Sequence, residues 1–187
     1  MSKSGTVFVI VAPSGTGKST IINKLKTEYP ALKESISYTT RAPRGSEQNG
    51  REYFFTSLEN FKTMIDAGQF IEWAKVHNNF YGTSKIFIES MLGQGHSLLL
   101  DIDVQGADEI KKHFPQNSKV IFLAPPSLEV LEKRLRGRAT DTEEVIRTRI
   151  ENARKELAKK QEYDYLVVND NLDRAYGEVS AIIKSNL

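Results

Sequence analysis

The chain contains no cysteine, which excludes disulfides and thiolate metal ligation and is compatible with a reducing compartment. Histidine is scarce: His77, His96 and His113 match no metal-ligand spacing and read as surface or packing residues. A dominant sign of charge is missing too. Twenty-six basic against 24 acidic side chains leave a formal net charge of +2, so no global field gathers polyanions. Nucleic acid is therefore not implied, and any phosphate binding has to come from local clusters. The one apolar run near the start, TVFVIVA over 6–12, is at the lower limit for a signal-peptide core and leads straight into a glycine-rich loop. Nothing approaches the roughly 18 apolar residues of a membrane helix, so a soluble, cytoplasmic protein without membrane partners is expected. Internal repeats, low-complexity tracts and proline-rich linkers are also absent.

What is present fits one globular domain: 187 residues, 39% hydrophobic and 27% charged, enough to bury a core. Short apolar runs alternate with helical patterns. TVFVIVA precedes a helix over 20–29, HSLLLDI one over 104–114, KVIFLA one over 128–136, and DYLVV one over 172–184. That rhythm predicts an α/β fold, a mostly parallel sheet with helices on both faces. Between about 35 and 88 the rhythm breaks into SISYTT, EYFF, the helix signal SLENFKTMI, FIEWAKV and NNFYGTS, which reads as an inserted α/β lobe. RLRGRATDTEE reads as a mobile loop between helices, with Thr140 and Glu143 spaced as a capping box for the helix that follows.

The string APSGTGKS carries the chemistry. Ala12, Pro13, Ser14, Gly15, Thr16, Gly17, Lys18 and Ser19 lie between a strand and a helix, the context in which a Walker A string becomes a phosphate loop. Gly15 and Gly17 let backbone N–H groups turn inward on a β-phosphate, and the helix adds its positive end. Lys18 would neutralise the β- and γ-phosphates of ATP, and the Ser19 hydroxyl is the expected Mg²⁺ ligand. The general motif opens on glycine; here that place is Ala12, so its backbone has to suit an L-residue.

A phosphate loop names no reaction. In the inserted segment, Arg41, Arg44, Tyr53 and Tyr81 are all donors suited to a second phosphate, although a surface arginine or a core tyrosine remains the alternative for each. Glu72 is an isolated acid in an apolar run, so it has to be edge-exposed or matched to donors. Guanine offers two, its ring N–H and its amino group, whereas adenine would set an acceptor against the carboxylate.

With those residues in place the chain resembles the guanylate kinase family over essentially its full length. The matching strings are APSGTGKST, SYTTRAPR, NGREYFF, FIEWA, NNFYGTS, LLLDIDVQGA, FLAPPS, RLRGRATDTEE and YDYLVVND, in family order and spacing. The resemblance implies a P-loop NTPase three-layer fold in three parts: a core over about 1–34, 89–125 and 160–187, a nucleoside-monophosphate lobe over about 35–88, and a lid over about 126–159. It implies that Arg41, Arg44, Tyr53 and Tyr81 hold the phosphate of GMP or dGMP, and that Ser37, Glu72, Thr83 and Asp103 read the guanine. It also matches Arg134, Arg138 and Arg149 to lid arginines that contact the ATP phosphates. Two departures are Tyr38, where some relatives carry a small hydroxyl residue, and Ala139, where the lid usually has a second glycine.

Asp101, ending LLLD, stands where P-loop proteins place an acid near the Mg²⁺ water shell, and the alternative for it is a cap on the helix from Val104. Residues 101 and 103 share a face of an extended strand unless it ends between them, so a turn is expected to begin at Ile102. Arg147 has Glu143 and Glu151 four residues to either side and reads as part of a salt-bridged helix face. Arg149 has Val145 and Ala153 there, and Arg134 has no acid at three or four residues. The reaction expected is direct in-line transfer from MgATP to GMP. The acceptor phosphate is already ionised near neutral pH, so no general base is required, and catalysis falls to positioning and to the positive charge of Lys18, Arg44, Arg134, Arg138 and Arg149. A kinase for another nucleotide, a non-catalytic partner-binding module and a regulatory GTPase are the competing readings. Glu72, the intact Gly17-Lys18-Ser19 and the second phosphate cluster weigh against them in turn.

Overall fold

A computed structural model describes residues 4–76, 78–137 and 142–187. The elements in chain order begin with β1 (Val7–Val11), α1 (Lys18–Glu28), β2 (Lys33–Glu34), β3 (Tyr38–Thr39) and β4 (Phe54–Phe55). There follow α2 (Leu58–Asp66), β5 (Phe70–Val76), β6 (Asn79–Ser84), α3 (Lys85–Gly93), β7 (Leu98–Asp101), α4 (Val104–His113) and β8 (Ser118–Ala124). Last come α5 (Leu128–Arg136), α6 (Glu143–Ala158), a 3-10 turn (Lys160–Glu162), β9 (Tyr165–Val168) and α7 (Leu172–Asn186).

The main sheet has the order β2-β7-β1-β8-β9, every pair parallel. Its central strand is VFVIV, buried at all five positions, and alternation sends successive side chains into two different cores. Val7, Val9 and Val11 join Leu98, Leu100, Val120 and Phe122 against α3 and α4. Phe8 and Ile10 join Leu99, Ile121 and Leu123 against α1 and α7. The run is apolar throughout because a parallel sheet covered on both faces leaves no wet side. Both cores therefore grip the strand whose carboxyl end carries the glycine-rich loop, and ligands of open α/β sheets bind at that edge.

The second sheet, β4-β3-β6-β5, draws all its strands from residues 38 to 84 and is mixed: β3–β4 parallel, β3–β6 and β5–β6 antiparallel. Phe61 of α2 is fully buried beneath it, stacked on Phe70 at 4.5 Å and tilted against Phe80 at 5.7 Å between ring centroids. The β5–β6 register shifts between Phe70 and Glu72. This bulge sends Ile71 into the main core while Glu72 lies opposite Thr83.

Helices α5 and α6 share a small core of Leu131, Leu135, Ile146 and Ala153. Arg136 ties them by pairing with Glu132 at 2.8 Å and Glu143 at 2.5 Å. The capping box expected at Thr140 and Glu143 is corrected here. Thr142 caps α6, its hydroxyl accepting from the Val145 N–H, and Glu143 is the first helical residue. Thr140 itself lies outside the described residues, as do His77, Arg138 and Ala139. The remaining expected helices start or stop within two residues of the structure's bounds, and α5 matches at both ends. Among the described residues no helix is long and apolar enough to cross a membrane.

Phe61→Ala empties the centre of the second sheet's aromatic cluster. It is expected to lower unfolding free energy by about 3–5 kcal/mol, read from the urea midpoint at constant slope.

Candidate active site

The loop between β1 and α1 is fixed from below. Gly15 (φ 92°) and Gly17 (φ 98°) adopt backbone conformations that L-residues avoid, and each is closely approached. A Cβ at Gly17 would stand 2.7 Å from the Asn169 amide nitrogen, and one at Gly15 2.8 Å from a Leu135 methyl. Between them Thr16 is buried; its hydroxyl donates to the Pro13 carbonyl at 2.7 Å, and its own carbonyl accepts from Asn169 Nδ2 at 2.7 Å. Ala12 packs its methyl against the α1–α7 core, which answers the missing first glycine: the place is filled by packing. Gly17 is also the N-cap of α1 and gives no side-chain cap, so the first-turn N–H groups are left to whatever the loop encloses.

Lys18 leaves α1 toward the neighbouring strand end. Its Nζ lies 2.5 Å from Asp101 and donates to the Ile102 carbonyl at 3.4 Å. Strand β7 ends at Asp101, so the chain turns at Ile102 as expected, and the cap of α4 is Asp103, whose carboxylate accepts from the Gly106 N–H at 2.9 Å. The helix-cap alternative for Asp101 is thereby corrected: residue 103 caps, and residue 101 pairs with the lysine. Ser19 is exposed on the first turn of α1. Ser14, also exposed, accepts from Arg149 at 3.1 Å. Arg134 reaches the loop as well, donating to the Asn169 carbonyl at 3.0 Å and the Thr16 carbonyl at 3.5 Å. Arg147 pairs with Glu143 at 3.7 Å on the solvent side, in line with a salt-bridged helix face.

Across the cleft, Arg41 is buried and held between Glu47 at 2.9 Å and the Ala42 carbonyl at 2.8 Å. Its guanidinium lies 5.3 Å from the centre of the Tyr53 ring, and Tyr53 meets Tyr81 edge-on at 5.9 Å. Three of the four expected phosphate residues thus form one cluster, whereas the fourth, Arg44, extends into solvent. Ser37, Tyr53, Thr83 and Asp101 line a recess of about 250 Å³, and Glu72 and Asp103 line a neighbouring one of about 400 Å³. The Thr83 hydroxyl donates to Glu72 and so joins the two. Burial pushes the Glu72 carboxyl above its ordinary value, Thr83 opposes the shift, and the charge of Asp103 adds to it. Of the two conditions set by its sequence context, edge exposure or a matched donor, Glu72 meets the second through Thr83.

Asn169, Glu47 and Glu156 were not singled out from the sequence. Asn169 sits at the end of β9, two strands from β1, where a polar residue closing an apolar run was the available signal. Glu156 of α6 has a buried Oε2 without a hydrogen-bond partner among the described residues. Burial raises its pKa, with Lys18 opposing and Asp103 reinforcing the shift.

The comparisons with known proteins agree with this geometry. The family model "Guanylate kinase" matches residues 4–186. The chain belongs to the guanylate kinase family. Among curated guanylate kinases it is 43% identical to that of Aromatoleum aromaticum, covering 97% of this chain and 89% of the relative. It is 49% identical to that of Koribacter versatilis, covering 96% and 78%. The crystal structure of guanylate kinase from Anaplasma phagocytophilum superposes with a TM-score of 0.73 at 33% identity, covering 98% of this chain and 86% of that one. As a guanylate kinase the chain is an ATP:GMP phosphotransferase, a nucleoside monophosphate kinase with a P-loop NTPase fold.

Asn169→Ala leaves the buried Thr16 carbonyl without its shortest donor. A loss of about 1–3 kcal/mol in unfolding free energy is expected, with a raised KM for ATP and an unchanged KM for GMP. Glu156 makes a prediction of opposite sign. Its folded pKa lies above the ordinary 4.5, so its contribution to stability is present below that pH and is lost as pH rises through the raised value. Glu156→Gln should therefore raise Tm at neutral pH, and the gain should vanish near pH 4.

Proposed function

We propose that this guanylate kinase moves the γ-phosphoryl group of ATP directly to the phosphate of GMP or dGMP, with the second-sheet lobe over about 35–88 holding the acceptor and the α5–α6 lid over about 126–159 closing on the donor. The observation that carries the reading is Asp101. It pairs with the phosphate-loop lysine and at the same time lines the recess that contains Ser37, Tyr53 and Thr83. Donor and acceptor sites thus adjoin through one residue, the arrangement an in-line transfer needs.

In this reading the backbone from Ala12 to Ser19 cradles the β-phosphate and Lys18 turns its charge to the transferring group. Arg41, Tyr53 and Tyr81 hold the acceptor phosphate, and Arg44 reaches it from the exposed loop. Glu72 accepts from the guanine ring N–H and amino group, with Ser37, Thr83 and Asp103 completing the edge. Arg134 and Arg149 already touch the loop from the lid side and add positive charge there, as Arg138, which lies between α5 and α6 in the sequence, would. The acceptor oxygen is ionised before it attacks, so no proton has to be removed by the protein. Cytoplasm is the expected location, where both nucleotides are supplied.

In this reading Mg²⁺ travels with ATP. No cluster of three or more acidic, histidine or cysteine side chains among the described residues could hold a metal alone. Mg²⁺ commonly takes one or two carboxylates, with phosphates and waters making up its shell, and Ser19 and Asp101 fit that partial role. The ion would neutralise charge on the phosphates.

The test is ADP release with MgATP while the acceptor is varied among GMP, dGMP, AMP, CMP, UMP and dTMP. Turnover is expected with the guanine nucleotides alone, and tight GMP binding without ADP release would instead indicate a non-catalytic module. Glu72→Gln should narrow the preference for GMP over AMP; unchanged discrimination would remove Glu72 from the recognition set.

A further inference from the structure

The segment that carries Arg41 and Arg44 has little regular structure of its own: between β3 and β4 there is only an isolated bridge, Asn49 to Tyr53. Its shape must therefore come from side chains. One carboxylate stands at the centre. Glu47 Oε1 accepts from Arg41 Nη2 at 2.9 Å, Oε2 accepts from the Arg44 backbone N–H at 2.8 Å, and the Glu47 N–H returns to the Arg44 carbonyl at 3.0 Å. Both oxygens are thus committed, one to each of the two arginine positions. The Glu47 side chain is largely buried at 23% exposure and that of Arg41 more so at 9%.

An acid here is paradoxical on electrostatic grounds alone, because a carboxylate beside an acceptor phosphate repels it. Arg41 resolves the paradox. A guanidinium this buried needs a fixed partner, or it will turn toward water and its fork will no longer face the cleft. Glu47 and the Ala42 carbonyl take one N–H from each of its two outer nitrogens, and the Tyr53 and Phe55 rings lie 5.3 and 5.9 Å away. A guanidinium has five N–H groups, so donors remain for a phosphate after these bonds are made.

We propose that Glu47 is a positioning residue for GMP: by bridging the Arg41 side chain and the Arg44 backbone it fixes the phosphate-binding fork before the nucleotide arrives. The proposal rests on the reading of Arg41 as an acceptor-phosphate ligand. Glu47 does not touch the nucleotide; it acts through Arg41. The pKa directions agree, since hydrogen bonds from Arg41 and from the Arg44 backbone hold the Glu47 carboxyl below its ordinary range, so it stays charged through the working pH range.

The test compares parent, Glu47→Gln and Glu47→Ala for kcat, for KM of GMP and of ATP, and for inhibition by guanosine, which has the base and sugar but no phosphate. Glu47→Ala should raise KM for GMP by about 10- to 100-fold, the loss expected for a hydrogen bond between charged groups. KM for ATP and the guanosine inhibition constant should stay where they are, and Glu47→Gln should fall between parent and alanine because an amide keeps one acceptor of the two. An unchanged KM for GMP would overturn the proposal. So would a lowered one, which would make the carboxylate a competitor of the phosphate, and so would an equal shift for guanosine, which would mean general distortion of the lobe. Should the alanine variant fail to fold, the glutamine variant decides on the same two constants. A parent enzyme that turns over no GMP would count against the acceptor reading itself and is read separately, from the first rows of the same assay.

Discussion

The carbonyl oxygen of Thr16 is the point on which the site hangs. It belongs to a loop whose own backbone runs through two positive-φ glycines and so has no ladder to stabilise it. Asn169, arriving from β9, supplies the short hydrogen bond, and Arg134, arriving from the lid side, supplies a longer one. A buried carbonyl left without donors is expensive, so the loop can keep its shape only while the main sheet and α5 are both in place. The phosphate loop is in this sense a property of the whole core, even though its motif occupies eight consecutive residues.

The second-sheet side of the cleft is built on the opposite plan. Its sheet is small, three of the charged groups in it are partly or wholly buried, and each has a named partner: Arg41 with Glu47, Glu47 with the Arg44 backbone, Glu72 with Thr83. Polar networks of this kind specify one arrangement because the alternatives leave charges without partners in a poorly solvated place. The phosphate loop is held chiefly by side chains that reach its backbone from distant elements; the second-sheet side is held by polar groups paired close to one another.

That difference also governs what could be read from the chain. The central strand, the phosphate loop and α5 were legible because each rests on local signals: an uninterrupted apolar run, glycines at fixed offsets before Lys-Ser, a serine followed by helical periodicity. Arg41, Tyr53, Tyr81 and Glu72 were legible as residue types without neighbours to account for their burial. Glu47 and Asn169 were not, because a carboxylate between two arginines, or an amide at the end of a strand, looks like any solvated polar residue until tertiary contacts are known. Thr142 displaced Thr140 as the cap for a simpler reason. Several hydroxyl and acidic residues in RLRGRATDTEE suit that role, and the helix start, set by the packing of Ile146 on α5, chooses among them.

The bulge in β5 has a consequence for how lengths can change in this molecule. Ile71 belongs to the main core and Glu72 to the cleft; alternation gives adjacent side chains two faces, and the register shift between Phe70 and Glu72 sets which face each of them meets. Removing a single residue from this strand would exchange the occupants, driving a carboxylate toward the core and leaving an isoleucine over the cleft. The spacing of the strand at this point is therefore a fixed count.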